Sequence, residues 1–220
     1  MEQQIIQKIA AQRGISADNV LREYYEYYIL KEIFDSEIGE SLIFKGGTAL
    51  RLFYSSPRYS DDLDFSIIKK INFKILEKIA KKTIIRNSNI KINDLWNKYN
   101  TMLCEFKINE EWKKMPFFIK IEISKRELAQ IEDTEIKLAR ENDFGLEILG
   151  RVFKLEILLK DKINALNNRD EPKDYFDVWY IGQLLNKKVK LKDNINVKRY
   201  KQILNKYLPG KYRKILDEIL

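Results

Sequence analysis

At 220 residues and 45% hydrophobic content, the chain can bury one substantial core, or a principal domain with a smaller one attached. Histidine is absent and there is a single cysteine, which excludes the common zinc sites, histidine-based triads and any intrachain disulfide. A net charge of +8 admits a polyanionic partner, and a coding bias toward lysine, isoleucine and asparagine accounts for it equally well.

The start of the chain shows no basic leader followed by a long apolar run, and no stretch approaches membrane-spanning length. With Cys104 as the lone cysteine, set in an apolar alternation, the expectation is a soluble, cytoplasmic protein with no membrane partner.

In chain order, Ile5, Ile6, Ile9 and Ala10 mark a short helix that Gly14 ends. A second helix runs from Ser16 to about Ile38, with Val20, Leu21, Tyr24, Tyr28, Ile33 and Phe34 as its stripe. Its tyrosines, Tyr24, Tyr25, Tyr27 and Tyr28, read better as core than as base-stacking residues, because a helix facing a sheet needs large apolar side chains.

Leu42-Ile43-Phe44 reads as a strand entering a tight turn at Gly46-Gly47, and Thr48 stands at the start of a short amphipathic helix carrying Ala49, Leu50, Leu52 and Phe53. Free amides at such a helix start attract phosphate. After a loop, Leu63, Phe65 and Ile67 alternate with Asp62, Asp64 and Ser66, which is the period of a strand. Asp62 and Asp64 therefore share a face, where they repel one another unless a hard cation such as Mg²⁺ lies between them. Taken separately, a solvated strand edge and an ordinary turn explain these features as well.

Together, KGGTALRLFY followed by RYSDDLDF resembles the nucleotidyltransferase signature of the polymerase-β-like superfamily, and in particular the AbiEii/AbiGii toxin family. The resemblance implies that Gly46, Gly47 and Thr48 hold nucleotide phosphates and that Asp62 and Asp64 hold metal. Threonine at position 48, where relatives often have serine, is a conservative departure.

Phe73 to Arg86 is a basic amphipathic helix, whose Lys74, Lys78, Lys81 and Lys82 fit either a solvated face or a nucleic-acid contact. Asn87 to Lys98 reads as a connector with a short strand. Met102 to Ile108 and Phe117 to Ile123 alternate as an antiparallel hairpin joined by Asn109 to Pro116. Related enzymes often place a third carboxylate on a neighbouring strand. Glu122 is the residue for that metal-binding position, and an exposed Glu-Lys pair on a sheet face is an equal explanation. The stretch FGLEILGRVF before Lys154 gives one further strand.

From Leu155 onward the composition turns helical. Lys162 lies four residues from both Leu158 and Leu166, inside the apolar stripe, where it requires an anion unless it snorkels from the edge. The next helix carries Pro172 in its first turn and places Asp174 and Asp177 on the side of Val178, Ile181 and Leu185. Capping explains Asp174 well and Asp177 less well. The pattern of Lys162, Ala165-Leu166, Arg169 and Asp174/Asp177 again resembles the AbiEii family. It implies a phosphate contact for Lys162, a catalytic base or nucleotide contact at Asp174 and a nucleotide-binding role for Asp177. Lys173 stands where arginine is commoner, which puts that neighbouring phosphate contact in doubt. Val197 to Leu220 supplies two short packing helices around Pro209-Gly210.

The expected fold is α+β, a polymerase-β-like domain with a mixed sheet flanked by helices over residues 1–150 and a helical bundle over 151–220 that completes the active site. The expected activity is Mg²⁺-dependent transfer of a nucleoside monophosphate from an NTP to an acceptor hydroxyl, with one or two Mg²⁺ held by Asp62, Asp64 and Glu122. By resemblance the acceptor is tRNA or another RNA, and the protein is a toxin held in check by a cognate antitoxin. The rival readings are transfer to a protein hydroxyl, the antitoxin included, and a non-catalytic NTP-binding module.

Overall fold

The computed structural model describes all residues from Met1 to Leu220. Helices α1 (Gln3–Arg13) and α2 (Ala17–Phe34) lead through a turn into strand β1 (Leu42–Lys45), helix α3 (Gly46–Phe53) and strand β2 (Asp62–Ile67). Helix α4 (Phe73–Arg86) precedes β3 (Ile90–Asn97), β4 (Thr101–Ile108) and β5 (Phe117–Leu128), and a second hairpin follows, β6 (Thr134–Glu141) and β7 (Leu146–Phe153). Helices α5 (Leu155–Asn168), α6 (Pro172–Leu184), α7 (Val197–Leu204) and the short α8 (Leu216–Ile219) complete the chain.

All seven strands form one mixed sheet in the order β3-β4-β5-β2-β1-β7-β6. The pairs β2/β5 and β1/β7 are parallel and the others antiparallel, so the two strands bearing the central motif lie in the middle. Helices α2 and α4 cover one face, with Phe34 of α2 meeting Phe44 and Phe65 edge-on. Leu63 and Phe65 are fully buried against that layer, and strand alternation turns Asp62 and Asp64 to the opposite face.

Helix α2 is capped by Ser16, whose hydroxyl accepts from the Asn19 amide, and it ends at Phe34, one turn short of the expected end. It has no single stripe. Tyr25 and Tyr27 are as buried as Leu21 and Leu30, because α1, α4 and the sheet enclose it from several sides. The connector before Met102 holds a full eight-residue edge strand, β3. Strand β6 lies where the chain pattern announces none. Strand β7 continues through Gly150 to Phe153, and the helical segment begins at Leu155. No helix is long and apolar enough to cross a membrane.

Candidate active site

The turn from β1 into α3 is where the site is built. Gly46 has φ of 80°, in the left-handed region where glycine costs least. A Cβ there would stand 2.6 Å from the Asp64 carboxylate, and one on Gly47 would stand 2.3 Å from the Arg58 guanidinium. The space left by the two glycines is thus used by the chain's own Asp64 and Arg58, while Gly47 also lines the cleft beyond. Thr48 differs from expectation. Its side chain is fully buried and its hydroxyl donates to the Asp62 carbonyl at 2.6 Å, so it ties α3 to β2 instead of facing a phosphate.

Asp62 and Asp64 stand side by side on β2, opposite Lys120 and Glu122 of β5. Burial, then repulsion from Asp62 and Glu122, raises the Asp64 carboxyl above its ordinary value, against the pull of Lys162 and Lys45. Glu122 does not join the aspartates in a three-carboxylate cage, and no such cluster exists in the chain. The Lys120 ammonium lies 3.5 Å from Glu122 and 3.8 Å from Asp62, so Glu122 has a lysine for company, the Glu-Lys pairing that the sequence also allows. Two carboxylates suffice for Mg²⁺, which commonly keeps waters and substrate phosphates as its remaining ligands, and the charge-burdened pair Asp62/Asp64 fits that donor set.

Across the cleft, the helical segment supplies cations. Lys162 on α5 does lie within the apolar stripe, and its ammonium meets Asp177 at 2.7 Å and Asp174 at 3.0 Å. Burial alone would lower the Lys162 pKa, but the two carboxylates outweigh it and hold the group protonated. Arg169 pairs with the other oxygen of Asp174 at 2.6 Å and remains largely exposed at its outer side.

Asp177 is entirely buried. Arg58 grips it in a two-pronged bond, Nε at 2.7 Å and Nη2 at 2.8 Å, which with Lys162 occupies both of its oxygens. Asp177 therefore cannot meet a nucleotide directly; it orders Lys162 and Arg58. Asp174, also buried, has both oxygens engaged by Lys162 and Arg169, which suits it to aiming these cations and not to accepting a proton. Arg58 carries no role in the sequence reading, although it lies within the motif. The available signal was Asp177 itself, a carboxylate on an apolar helical face that needs a cation.

The result is a cavity of about 190 Å³ lined by Gly47, Arg58, Ser60, Asp61, Asp62, Asp64, Lys162, Arg169, Glu171, Lys173 and Asp174, with no hydrophobic residue among them. The cleft is thus wholly polar, with a carboxylate pair on one wall and arginine and lysine heads on the other.

These features agree with the similarities found to known proteins. The model of the family described as nucleotidyl transferase AbiEii toxin, Type IV TA system, matches residues 28–218. Among solved structures, JHP933 from Helicobacter pylori is 25% identical with a TM-score of 0.59, covering 77% of this chain and 68% of that one. MenT4, a nucleotidyltransferase toxin from Mycobacterium tuberculosis H37Rv, shares the fold at 17% identity and a TM-score of 0.62, over 93% of this chain and 69% of its own. No match was found among curated proteins. With its glycine turn, its paired aspartates and its helical cation wall all inside the matched span, the chain belongs to the AbiEii family of nucleotidyltransferase toxins of type IV toxin–antitoxin systems.

Proposed function

We propose that the protein transfers a nucleoside monophosphate from an NTP to a hydroxyl of an RNA acceptor, tRNA being the leading class, and that this transfer is the toxic activity its antitoxin opposes. The observation that carries the reading is the polar cleft in which Asp62 and Asp64 face Lys162 and Arg169. Asp62 and Asp64 would hold Mg²⁺, which when bound neutralises phosphate charge and eases deprotonation of the attacking hydroxyl. Lys162 and Arg169 meet the polyphosphate from the opposite wall, where each has a carboxylate behind it that fixes its position. The acceptor oxygen attacks the α-phosphorus and its proton passes to solvent water; as the new phosphorus–oxygen bond forms, the bond from the α-phosphorus to the bridging oxygen breaks and pyrophosphate departs toward the cations. Arg58 and Asp177 hold the loop before β2 against α6, which keeps the two walls at one separation. In this reading the sheet supplies the carboxylates and the segment from Leu155 onward supplies the cations.

The test is transfer of label from each of four α-labelled NTPs, with Mg²⁺, to total RNA and to protein, by the wild type and by Asp64→Ala. Label in RNA that vanishes with the variant is the expected result. Label in protein would move the acceptor to a polypeptide. NTP binding without any transfer would replace the enzyme reading with a binding module.

A further inference from the structure

A second cavity, of about 240 Å³, lies on the other side of Asp61 from the catalytic cleft. Asp61 lines both, and it directly precedes the metal-facing Asp62 in the chain. We propose that this second cavity seats a phosphate of the acceptor RNA backbone just upstream of the hydroxyl that is modified; the inference rests on RNA being the acceptor.

Three cations converge on the cavity: Arg22 from α2, Lys113 from the β4–β5 connection and Lys206 from the segment after α7. Aromatic faces hold two of them in place. The Arg22 guanidinium lies 5.1 Å, and the Lys113 ammonium 5.7 Å, from the centre of the Phe117 ring. A ring orients a cation without cancelling its charge.

Protein acceptors satisfy them in part: the Arg22 guanidinium donates to the carbonyls of Phe118 at 2.6 Å and Asp61 at 3.3 Å. Lys113 pairs with Asp18, which is on the exposed rim, and Lys206 makes no ion pair. Arg22 has Asp61 at 3.5 Å, but Asp61 is already held by Lys173 at 2.8 Å. Asp61 is thus a partition between the two cavities, fixed from the side of the cleft by Lys173.

With Ser16 and Asn19 beside the three cations in its lining, the cavity suits a phosphodiester group. Its place one residue from Asp62 puts such a group beside the reaction centre without occupying it. Phosphate contacts of this kind fix register and carry no base preference. The cavity would therefore position the end of an RNA strand and leave selection of that strand to other contacts.

The experiment measures binding of unmodified tRNA to the full chain by fluorescence anisotropy over a salt series, together with NTP binding and the KM for RNA in transfer. Lys206→Ala and Lys113→Ala are each expected to weaken RNA binding several-fold and to lower the slope of log K against log salt by about one. Asp18→Asn, which removes the rim carboxylate, is expected to tighten it. Thermal midpoints and NTP affinity should match the wild type in all three. RNA affinity and salt slope unchanged in both lysine variants, in a protein that labels RNA normally, would overturn this inference alone. Parallel loss of NTP affinity would overturn it by assigning the cavity to the donor. A wild type that neither binds nor labels RNA removes the RNA reading and this inference with it.

Discussion

Two clusters of buried charge grip the loop between α3 and β2, and they differ in what they leave over. On the side of α6, Arg58, Lys162 and Arg169 alternate with Asp174 and Asp177, so that cations exceed carboxylates and the outermost, Arg169, reaches the cleft. On the side of α1, Glu23 is shared by Arg13 at 2.8 Å and Arg51 at 2.6 Å, and Arg13 continues to Glu141 and Asp143. Arg51 also lies 4.0 Å from the centre of the Tyr59 ring and donates to the Ser56 carbonyl. The second cluster has carboxylates in excess and no residue on the cleft, so it holds the loop without presenting charge to a substrate. Similar ion pairs thus form an internal support in one place and line a cleft in the other, and the difference lies in the sign and position of the surplus charge.

The largest effect expected from breaking this comparison is at Arg58. Arg58→Ala strands a fully buried Asp177 beside Lys162 and should cost about 3–5 kcal/mol in urea denaturation. Arg58→Lys should restore little of it, because an ammonium cannot reproduce the two-pronged grip. Equal stability of Arg58→Ala and wild type would show that Asp177 is satisfied without the arginine.

Next in size is Arg169, which separates cleft wall from support. Arg169→Ala should lower kcat/KM for transfer about ten- to a hundred-fold while moving the denaturation midpoint less than Arg58→Ala does, since Arg169 is largely exposed and Lys162 still meets the buried Asp174. Arg51→Ala should do the reverse, lowering the midpoint while the folded fraction keeps wild-type KM for NTP. Identical profiles for the two variants would erase the distinction drawn between the clusters.

The smallest effect is a pH dependence. Burial alone would raise the Asp177 carboxyl, yet Arg58 and Lys162 hold it below its ordinary value. A carboxyl depressed in the folded state adds stability above the unfolded value, and that stability is lost as pH falls through the folded one. Wild type should therefore exceed Asp177→Asn in stability at neutral pH, with the gap narrowing toward about pH 3. A gap that stays constant across that range would mean that Asp177 contributes by shape and not by charge.

Much of the site is legible in the chain because its chemistry is contiguous: glycine turn, helix start and carboxylate strand fall within a single run from Lys45 to Ile67, and strand alternation alone places Asp62 and Asp64 together. Helical spacing likewise sets Lys162 in the stripe of α5. Strand β6 escapes such a reading because its alternation is confined to Ile136 and Leu138 about Lys137, and these apolar residues lie on the exposed face while Ala139 and Thr134 turn inward.

The chain by itself determined the local period of each element, the left-handed turn that Gly46 permits and the types of residue available for chemistry. Only the tertiary structure decided which side chains face the cleft and which face one another. Thr48 became a strut to Asp62, Asp177 an internal anion for Arg58 and Lys162, and Glu122 a neighbour of Lys120. The physical reason is that a polar side chain's role depends on which opposite charge reaches it first, and those partners lie as far as 119 residues away in the chain.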